Sequence, residues 1–180
     1  MLPDPLHPAV VHFPVVLAVL LPIFAAVALF SIRRGTPFRR AWAAPVALVL
    51  ALAASSWVAV QTGEGQEERI ERVVAEPPLE AHEEAAELFL TLTAALALVV
   101  VAGLARGRIG GVARVAGTAG AIALVTLAAW VGHTGGELVY RHGAASAYAD
   151  PASPASPAAT SPGARADREQ PRAGRDRDSD

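Results

Sequence analysis

The chain contains four long runs of hydrophobic residues, and the charged residues are concentrated in the segments between them. These runs cover about residues 8–32, 41–61, 81–105 and 112–140. A helix needs about 20 apolar residues to cross a hydrocarbon core about 30 Å thick, so each run is long enough to span a membrane. The pattern predicts an all-α integral membrane protein, in which residues 1–145 form a four-helix bundle with up-down topology.

The connections between the runs carry charges of opposite sign. Nine Glu and two Arg lie between Thr62 and Glu87. The connections after the first and third runs contain no acid and seven arginines, which are Arg33, Arg34, Arg39, Arg40, Arg106, Arg108 and Arg114. Short Arg-rich loops stay in the cytoplasm. The asymmetry therefore predicts a multi-pass protein of the bacterial cytoplasmic (inner) membrane, with both termini and the acidic connection outside.

Three tryptophans lie where interfacial residues are expected. Trp57 and Trp130 fall near the outer ends of their helices, and Trp42 falls near an inner end. Tryptophan is enriched at both membrane–water boundaries, so all three are predicted to be interfacial.

The segments outside the membrane differ in composition. In QEERIERVV, apolar residues recur at helical spacing, which leaves open a short amphipathic helix or a solvated acidic loop. Residues 146–180 are rich in Pro, Ala and Ser and then in mixed charges. Such a composition cannot bury a core, so this tail is predicted to be disordered.

Several chemistries are excluded by the residues that the chain lacks. It has no cysteine, which excludes disulfides, thiolate zinc sites, iron–sulfur clusters and covalent c-type haem. HEEAA resembles the HExxH helix of zinc proteases, but Ala86 stands where the second His is needed. The arginines are explained by topology, so nucleic-acid binding is not predicted. No complete catalytic constellation is present; an activity, if there is one, would be redox rather than hydrolytic.

All five histidines are predicted on the outer side of the membrane. His12, His82 and His133 lie 19 to 24 residues from the arginine at the cytoplasmic end of the same helix. At 1.5 Å per residue, that places them about 28–36 Å above the arginines, at the outer boundary of the hydrocarbon core. His7 and His142 lie farther out on the same side.

We predict that His12, His82 and His133 are the ligands of one site that binds b-type haem or a divalent metal ion. Diagonal helices of a bundle lie about 12–14 Å apart, which could accommodate a flat haem between two imidazoles. A metal ion could instead be bound by two or three histidines with a carboxylate. Glu137, one turn after His133, would be a further ligand or would orient that histidine. The secondary candidates are His7, Tyr140 and His142, and the small residues Gly132 and Gly136 are predicted to let a neighbour approach.

Four motifs resemble a known family. HPAVVHFPVVL, TGEG, AHEEAA and GHTGGELVYRHG are similar to the bacterial domain of unknown function 2231, over roughly residues 5–143. The matching residues are His7, Pro8, His12, Phe13, Pro14, Gly63, His82, Gly136, Tyr140 and Gly143. The resemblance implies a four-span membrane protein without an assigned activity. Members are sometimes joined to cytochrome c-like or Rieske-like domains, which implies redox chemistry, whereas this chain ends in its predicted disordered tail.

Three functions remain open at the level of the sequence. The first is electron transfer by a haem or metal ion at the histidine-lined site, with a redox protein as partner. The second is a cofactor-free accessory or structural subunit of a larger membrane complex. The third is a proton or pH sensor built from histidine and glutamate, because imidazole titrates near neutral pH.

Overall fold

The computed structural model of the chain describes residues 6–148, and these are helical with no strand among them. The helices are α1 (His7–Val10), α2 (His12–Arg33), α3 (Phe38–Glu64), α4 (Glu67–Ile70), α5 (Glu76–Ala102), α6 (Gly107–Tyr140) and a 3-10 helix (Ala144–Tyr148). Four are long and apolar enough to cross a membrane, with α1 and α2 counted together as His7–Arg33. The predicted all-α membrane bundle is confirmed.

Proline and glycine mark the ends of several helices. Proline occupies the first turn of α1 and of α5, where the missing N–H costs no hydrogen bond. Gly35 and Gly107 adopt positive φ angles in the two Arg-rich connections, a conformation that glycine takes without strain. The third spanning helix begins at Glu76, earlier than the predicted residue 81.

The four long helices form two antiparallel hairpins that pack side by side. Hairpin 1 consists of α1, α2 and α3, and hairpin 2 consists of α5 and α6. The contacts within the hairpins are the most extensive; between them, α3 packs on α5 and α2 packs on α6. On α2, small residues such as Ala18 and Ala25 face the core of the bundle, which allows the helix backbones to approach closely.

Trp42 lies in the core rather than at an interface. Its side chain is fully buried, and its indole N–H donates to the Val100 carbonyl over 2.8 Å. The predicted interfacial position of Trp42 is therefore wrong, because the buried indole N–H donates to a backbone carbonyl at the end of α5 rather than to water. Trp57 and Trp130 are each 57% exposed, as lipid-facing or interfacial residues would be.

The acidic connection is folded against the bundle. Of the two alternatives for QEERIERVV, the structure shows a single helical turn, α4, followed by a turn. Ile70 packs on a small cluster of buried residues formed by Val74, Leu79, Leu138 and Ala144. The 3-10 helix continues to Tyr148, whose hydroxyl donates to the side-chain oxygen Oε1 of Gln66. The rest of the predicted tail, residues 149–180, lies outside the described residues.

One buried hydroxyl in the core predicts a stabilising substitution. Thr93 on α5 is fully buried, and within residues 6–148 its Oγ1 has no hydrogen-bond partner. Because an unpaired buried hydroxyl costs about 1–3 kcal/mol, Thr93→Val should raise the free energy of unfolding by about 1 kcal/mol. Thermal unfolding in mild detergent, followed by circular dichroism, measures the change.

Ser56 provides the matched control for Thr93. It is equally buried, but its hydroxyl donates to the Leu52 carbonyl over 2.7 Å. Ser56→Ala should therefore leave the stability unchanged or lower it. A Thr93→Val protein less stable than the wild type would contradict the expectation.

Candidate functional site

All five histidines lie at one end of the bundle, which we call the histidine end. His7 and His12 stand at the starts of α1 and α2, and His82 stands in the second turn of α5. His133 lies in the last two turns of α6, and His142 just follows that helix. Since α1, α2 and α5 begin where α3 and α6 finish, the up-down arrangement places all five at the same height range.

His7 is held against the end of α3. Its Nδ1 lies 2.8 Å from the Ala59 carbonyl oxygen and 3.3 Å from Thr62 Oγ1. A carbonyl only accepts, so Nδ1 carries the proton and donates, which leaves the Nε2 lone pair of the neutral ring available. The ring lies over Gly63, where an added Cβ would be 3.2 Å from the His7 Cε1 atom.

His82 is held in a similar way against the end of α6. Its Nδ1 lies 2.9 Å from Thr134 Oγ1. The Thr134 hydroxyl donates to the Val131 carbonyl over 3.0 Å, so it accepts from the Nδ1 proton of His82. The ring lies over Gly135, where an added Cβ would be 3.0 Å from Cε1. We call these two arrangements the His7 seat and the His82 seat.

The histidines of the two seats interact electrostatically, and acidic residues lie near one of them. His7 and His82 lie within electrostatic range, and both side chains are half-buried. Glu83, the neighbour of His82, lies within electrostatic range of Glu64, Glu67, Glu71 and Glu87. The histidine end therefore combines two oriented imidazoles with a concentration of negative charge that favours cations.

None of the other predicted site residues hydrogen-bonds to this pair within the described part of the chain. His12 is exposed, as are Tyr140 and His142. The His133 side chain is 61% exposed; its ring contacts Trp130 at 6.2 Å, and its Nε2 lies 3.7 Å from the Glu137 carboxylate. Glu137 also pairs with Arg141.

Of the predicted ligands, His82 lies within electrostatic range of another histidine, His7, which was predicted as secondary. Between residues 6 and 148, no three His, Asp or Glu side chains are arranged as a ready metal site.

The close approach of helices at the His82 seat uses a different glycine from the predicted pair. Added Cβ atoms at Gly132 and Gly136 would meet nothing within 4 Å, so no other helix of residues 6–148 packs closely on these two glycines. Gly135 is the residue on which the imidazole rests. Thr62 and Thr134 were not predicted at all. The sequence signal for them is the Thr-Gly dipeptide at the end of both α3 and α6.

The fold and the extent of the sequence motifs can be compared with known proteins. The profile of the family described as "Predicted membrane protein (DUF2231)" matches residues 3–147. The chain belongs to this family. Comparisons with curated proteins and with solved structures give no match.

In this DUF2231 protein, six of the ten residues that carry the family resemblance fall into two groups. His7, Gly63 and His82 take part in the two seats. His12, Phe13 and Tyr140 are instead exposed on the helix surfaces. The structure thus assigns contacts to the first group that motif similarity alone did not distinguish.

Proposed function

We propose that this DUF2231 protein binds a transition-metal ion at the histidine end through the Nε2 atoms of His7 and His82. One observation carries the proposal: two imidazoles from different hairpins, within electrostatic range of each other, each have Nδ1 engaged by the protein. Histidine ligands of metals usually donate their second ring nitrogen to a carbonyl or a similar acceptor, which fixes the tautomer and the ring orientation. Imidazole suits zinc, copper, iron and nickel.

A compact ion fits the surroundings of the pair better than b-type haem does. The interior of the bundle is filled by side chains such as Leu21, Leu52 and Leu124, each at most 4% exposed. Both rings also rest directly on helix backbone at Gly63 and Gly135. A macrocycle between the histidines would require these elements to separate, whereas an ion would not. Its remaining ligands would be water or a carboxylate such as Glu83.

We place the site at the outer face of the bacterial inner membrane. The support is the distribution of charge. Arginine is concentrated in the two connections opposite the histidine end, whereas the acidic connection at the histidine end has only two arginines among its nine glutamates. At that position a copper or iron ion would be able to exchange an electron with a redox partner. A zinc ion has no redox chemistry and would act structurally or as a Lewis acid.

Metal analysis of the protein purified in mild detergent tests the proposal, together with absorption spectra of the oxidised and dithionite-reduced forms. We expect about one ion per chain in the wild type and at least a tenfold lower content in His7→Ala and His82→Ala, because each removes a ligand. His12→Ala and His133→Ala, which change exposed histidines, should retain the wild-type content.

The same measurements separate the competing assignments. A Soret band with sharp reduced bands would replace the ion by haem. Loss of metal in His12→Ala and His133→Ala alone would restore the ligand set predicted from the sequence. A colourless, metal-free wild type would contradict the proposal.

The second candidate is a cofactor-free accessory subunit of a larger membrane complex. It is favoured by a shallow lipid-facing groove on α6, lined by Gly111, Val112, Val115, Ala116 and Ala119. Small side chains at such positions allow another helix to pack closely. Recovery of a stable larger complex from native membranes, without metal, would support this candidate; a lone monomer would argue against it.

A further inference from the structure

We infer that the chain consists of two copies of one helical hairpin, related by a pseudo-twofold axis along the bundle, and that a single metal ion on this axis is shared by His7 and His82. The second half of the inference rests on the proposed function. The first half does not, because it is carried by the contacts and burial pattern of the helices alone.

The two seats have the same construction. In each, a histidine near the start of one helix donates from Nδ1 to the end of the helix that follows it in the same hairpin. In each, a threonine hydroxyl donates to the carbonyl three residues earlier, Ala59 or Val131. In the His7 seat the Ala59 carbonyl is also the nearest acceptor of the Nδ1 proton, whereas in the His82 seat the Thr134 hydroxyl accepts it. The glycine after the threonine lies under the ring in both.

The first spanning helices of the two hairpins match along their length. His82 follows His7 by 75 residues, and the same offset relates buried residues of α2 to buried residues at the corresponding places of hairpin 2. These pairs are Pro14 and Phe89, Ala18 and Thr93, Leu21 and Leu96, Ala25 and Val100, and Ala28 and Gly103.

The second spanning helices match in the same way. Thr134 follows Thr62 by 72 residues, and this offset relates four of the six buried residues of α3 to buried residues of α6; the other two, Trp42 and Ala59, correspond to half-buried residues. The pairs are Pro45 and Gly117, Val49 and Ala121, Leu52 and Leu124, and Ser56 and Ala128. Any two packed helices share a spacing of three and four, so some offset always aligns them. Here each offset was fixed by one pair of seat residues, His7 with His82 or Thr62 with Thr134, and was not chosen to align the buried residues.

The packing of the bundle has the symmetry that this correspondence requires. A twofold axis that exchanges α2 with α5 and α3 with α6 also exchanges the interface of α3 and α5 with that of α6 and α2. Both of these interfaces are present and similar in extent, and the two intrahairpin interfaces are as well. Both hairpins also turn in an Arg-rich connection at the end opposite the histidines. They are therefore parallel repeats related by an axis along the membrane normal.

The axis decides how the site binds its ligand. His7 and His82 are equivalent by this symmetry and within electrostatic range of each other, so one ion on the axis would be bound by the same atom of each. Loss of either histidine would then remove the site, and loss of both would do no further harm. Two independent sites would behave differently: each substitution would remove one of two ions, and the effects would add.

Titration of the full-length, chelator-treated protein with zinc alone, by calorimetry in mild detergent, tests the shared ion. We expect one Zn²⁺ per chain, and a loss of affinity of at least tenfold in His7→Ala and in His82→Ala. The double variant should agree with the single variants within about twofold. The substitutions Thr62→Ala and Thr134→Ala, which each remove a hydroxyl beside one ligand, should each weaken binding, by factors of up to about 10–100. Two ions per chain, or wild-type affinity in one single variant, would overturn the shared site.

Nitrogen-15 NMR of histidine-labelled, metal-free protein tests the repeat without any ion. The repeat predicts the same tautomer for His7 and His82, with Nδ1 protonated and Nε2 not. Thr62→Ala should shift the His7 resonances, and Thr134→Ala the His82 resonances, to a similar extent; the exposed His12 provides the control that neither should move. Different tautomers in the two seats would overturn the repeat even if zinc binds. Matching tautomers in a protein that binds no zinc would support the repeat and remove the proposed function.

Discussion

Replacing Trp42 with alanine is expected to lower the free energy of unfolding by about 3–5 kcal/mol, which is the usual cost of emptying a buried tryptophan position. The indole is fully buried in the end of the bundle opposite the histidines and donates to the Val100 carbonyl. Gly103 packs so closely against the indole that an added Cβ there would overlap the ring nitrogen. Because the surrounding backbone already packs tightly on the indole, it cannot move far enough to fill the cavity that removal of the ring leaves.

Trp57→Ala is the matched control for Trp42→Ala. Both residues lie on α3, but Trp57 is 57% exposed and forms part of the lipid-facing surface. Its replacement should change the free energy of unfolding by less than about 1 kcal/mol. Thermal unfolding in mild detergent, monitored by far-ultraviolet circular dichroism, measures both variants without depending on tryptophan emission. Equal losses in the two would show that burial at Trp42 contributes little.

The four helices could be predicted from the sequence because the bilayer fixes their length. A span needs about 20 apolar residues, so apolar runs bounded by charges identify the helices directly. The predicted bounds of the third spanning helix were the least accurate. Its first turns carry Glu76, Glu80 and Glu83, and a hydropathy pattern does not count such acidic turns as part of a span. The helix nevertheless includes these turns, because Leu79 and the preceding Val74 pack against the end of α6.

The height of the site could be predicted, but its composition could not. Helical rise gives distance along the bundle from the arginines, and this brought all five histidines to one end. Which histidine faces the interior depends on rotation about the helix axis, and one residue corresponds to about 100°. His133 and Thr134 are neighbours at the same height, yet Thr134 is buried beside His82 and His133 is exposed. Height alone therefore could not distinguish the buried member of that pair from the exposed one.

The repeat explains why the residues shared with the family motifs differ from the residues predicted as metal ligands. HPAVVHFP and AHEEAA share little beyond their first histidine, and QTGEG and HTGGE share Thr-Gly. Two repeats that have diverged elsewhere keep these few residues at equivalent places. A search for metal ligands weighs histidines and acids and passes over the threonine and the glycine that hold the rings, although these are the features that the hairpins have in common.

Adjacent glycines on α6 provide the second large effect, with opposite signs expected for the same substitution. Gly110 is buried, and an added Cβ there would overlap the backbone carbonyl of Ala105 and lie 3.2 Å from Arg114 Nη1. Gly111 meets nothing within 4 Å. Alanine is favoured over glycine inside a helix by about 1 kcal/mol, so Gly111→Ala should stabilise the protein by up to that amount.

Gly110→Ala has the same helical advantage but should destabilise the protein by about 1–3 kcal/mol, the usual cost of overpacking. Backbone, unlike the end of a flexible side chain, cannot rotate away, so the connection between α5 and α6 has to move. That connection is held by Arg114, whose guanidinium donates to the Gly103 carbonyl over 2.6 Å. The displacement would therefore also disturb the end of α5 on which Trp42 packs. Thermal unfolding of the two variants side by side decides the point: equal stabilisation of both would mean that the connection is loosely held, and that the tight contact at Gly110 does not constrain the hairpin.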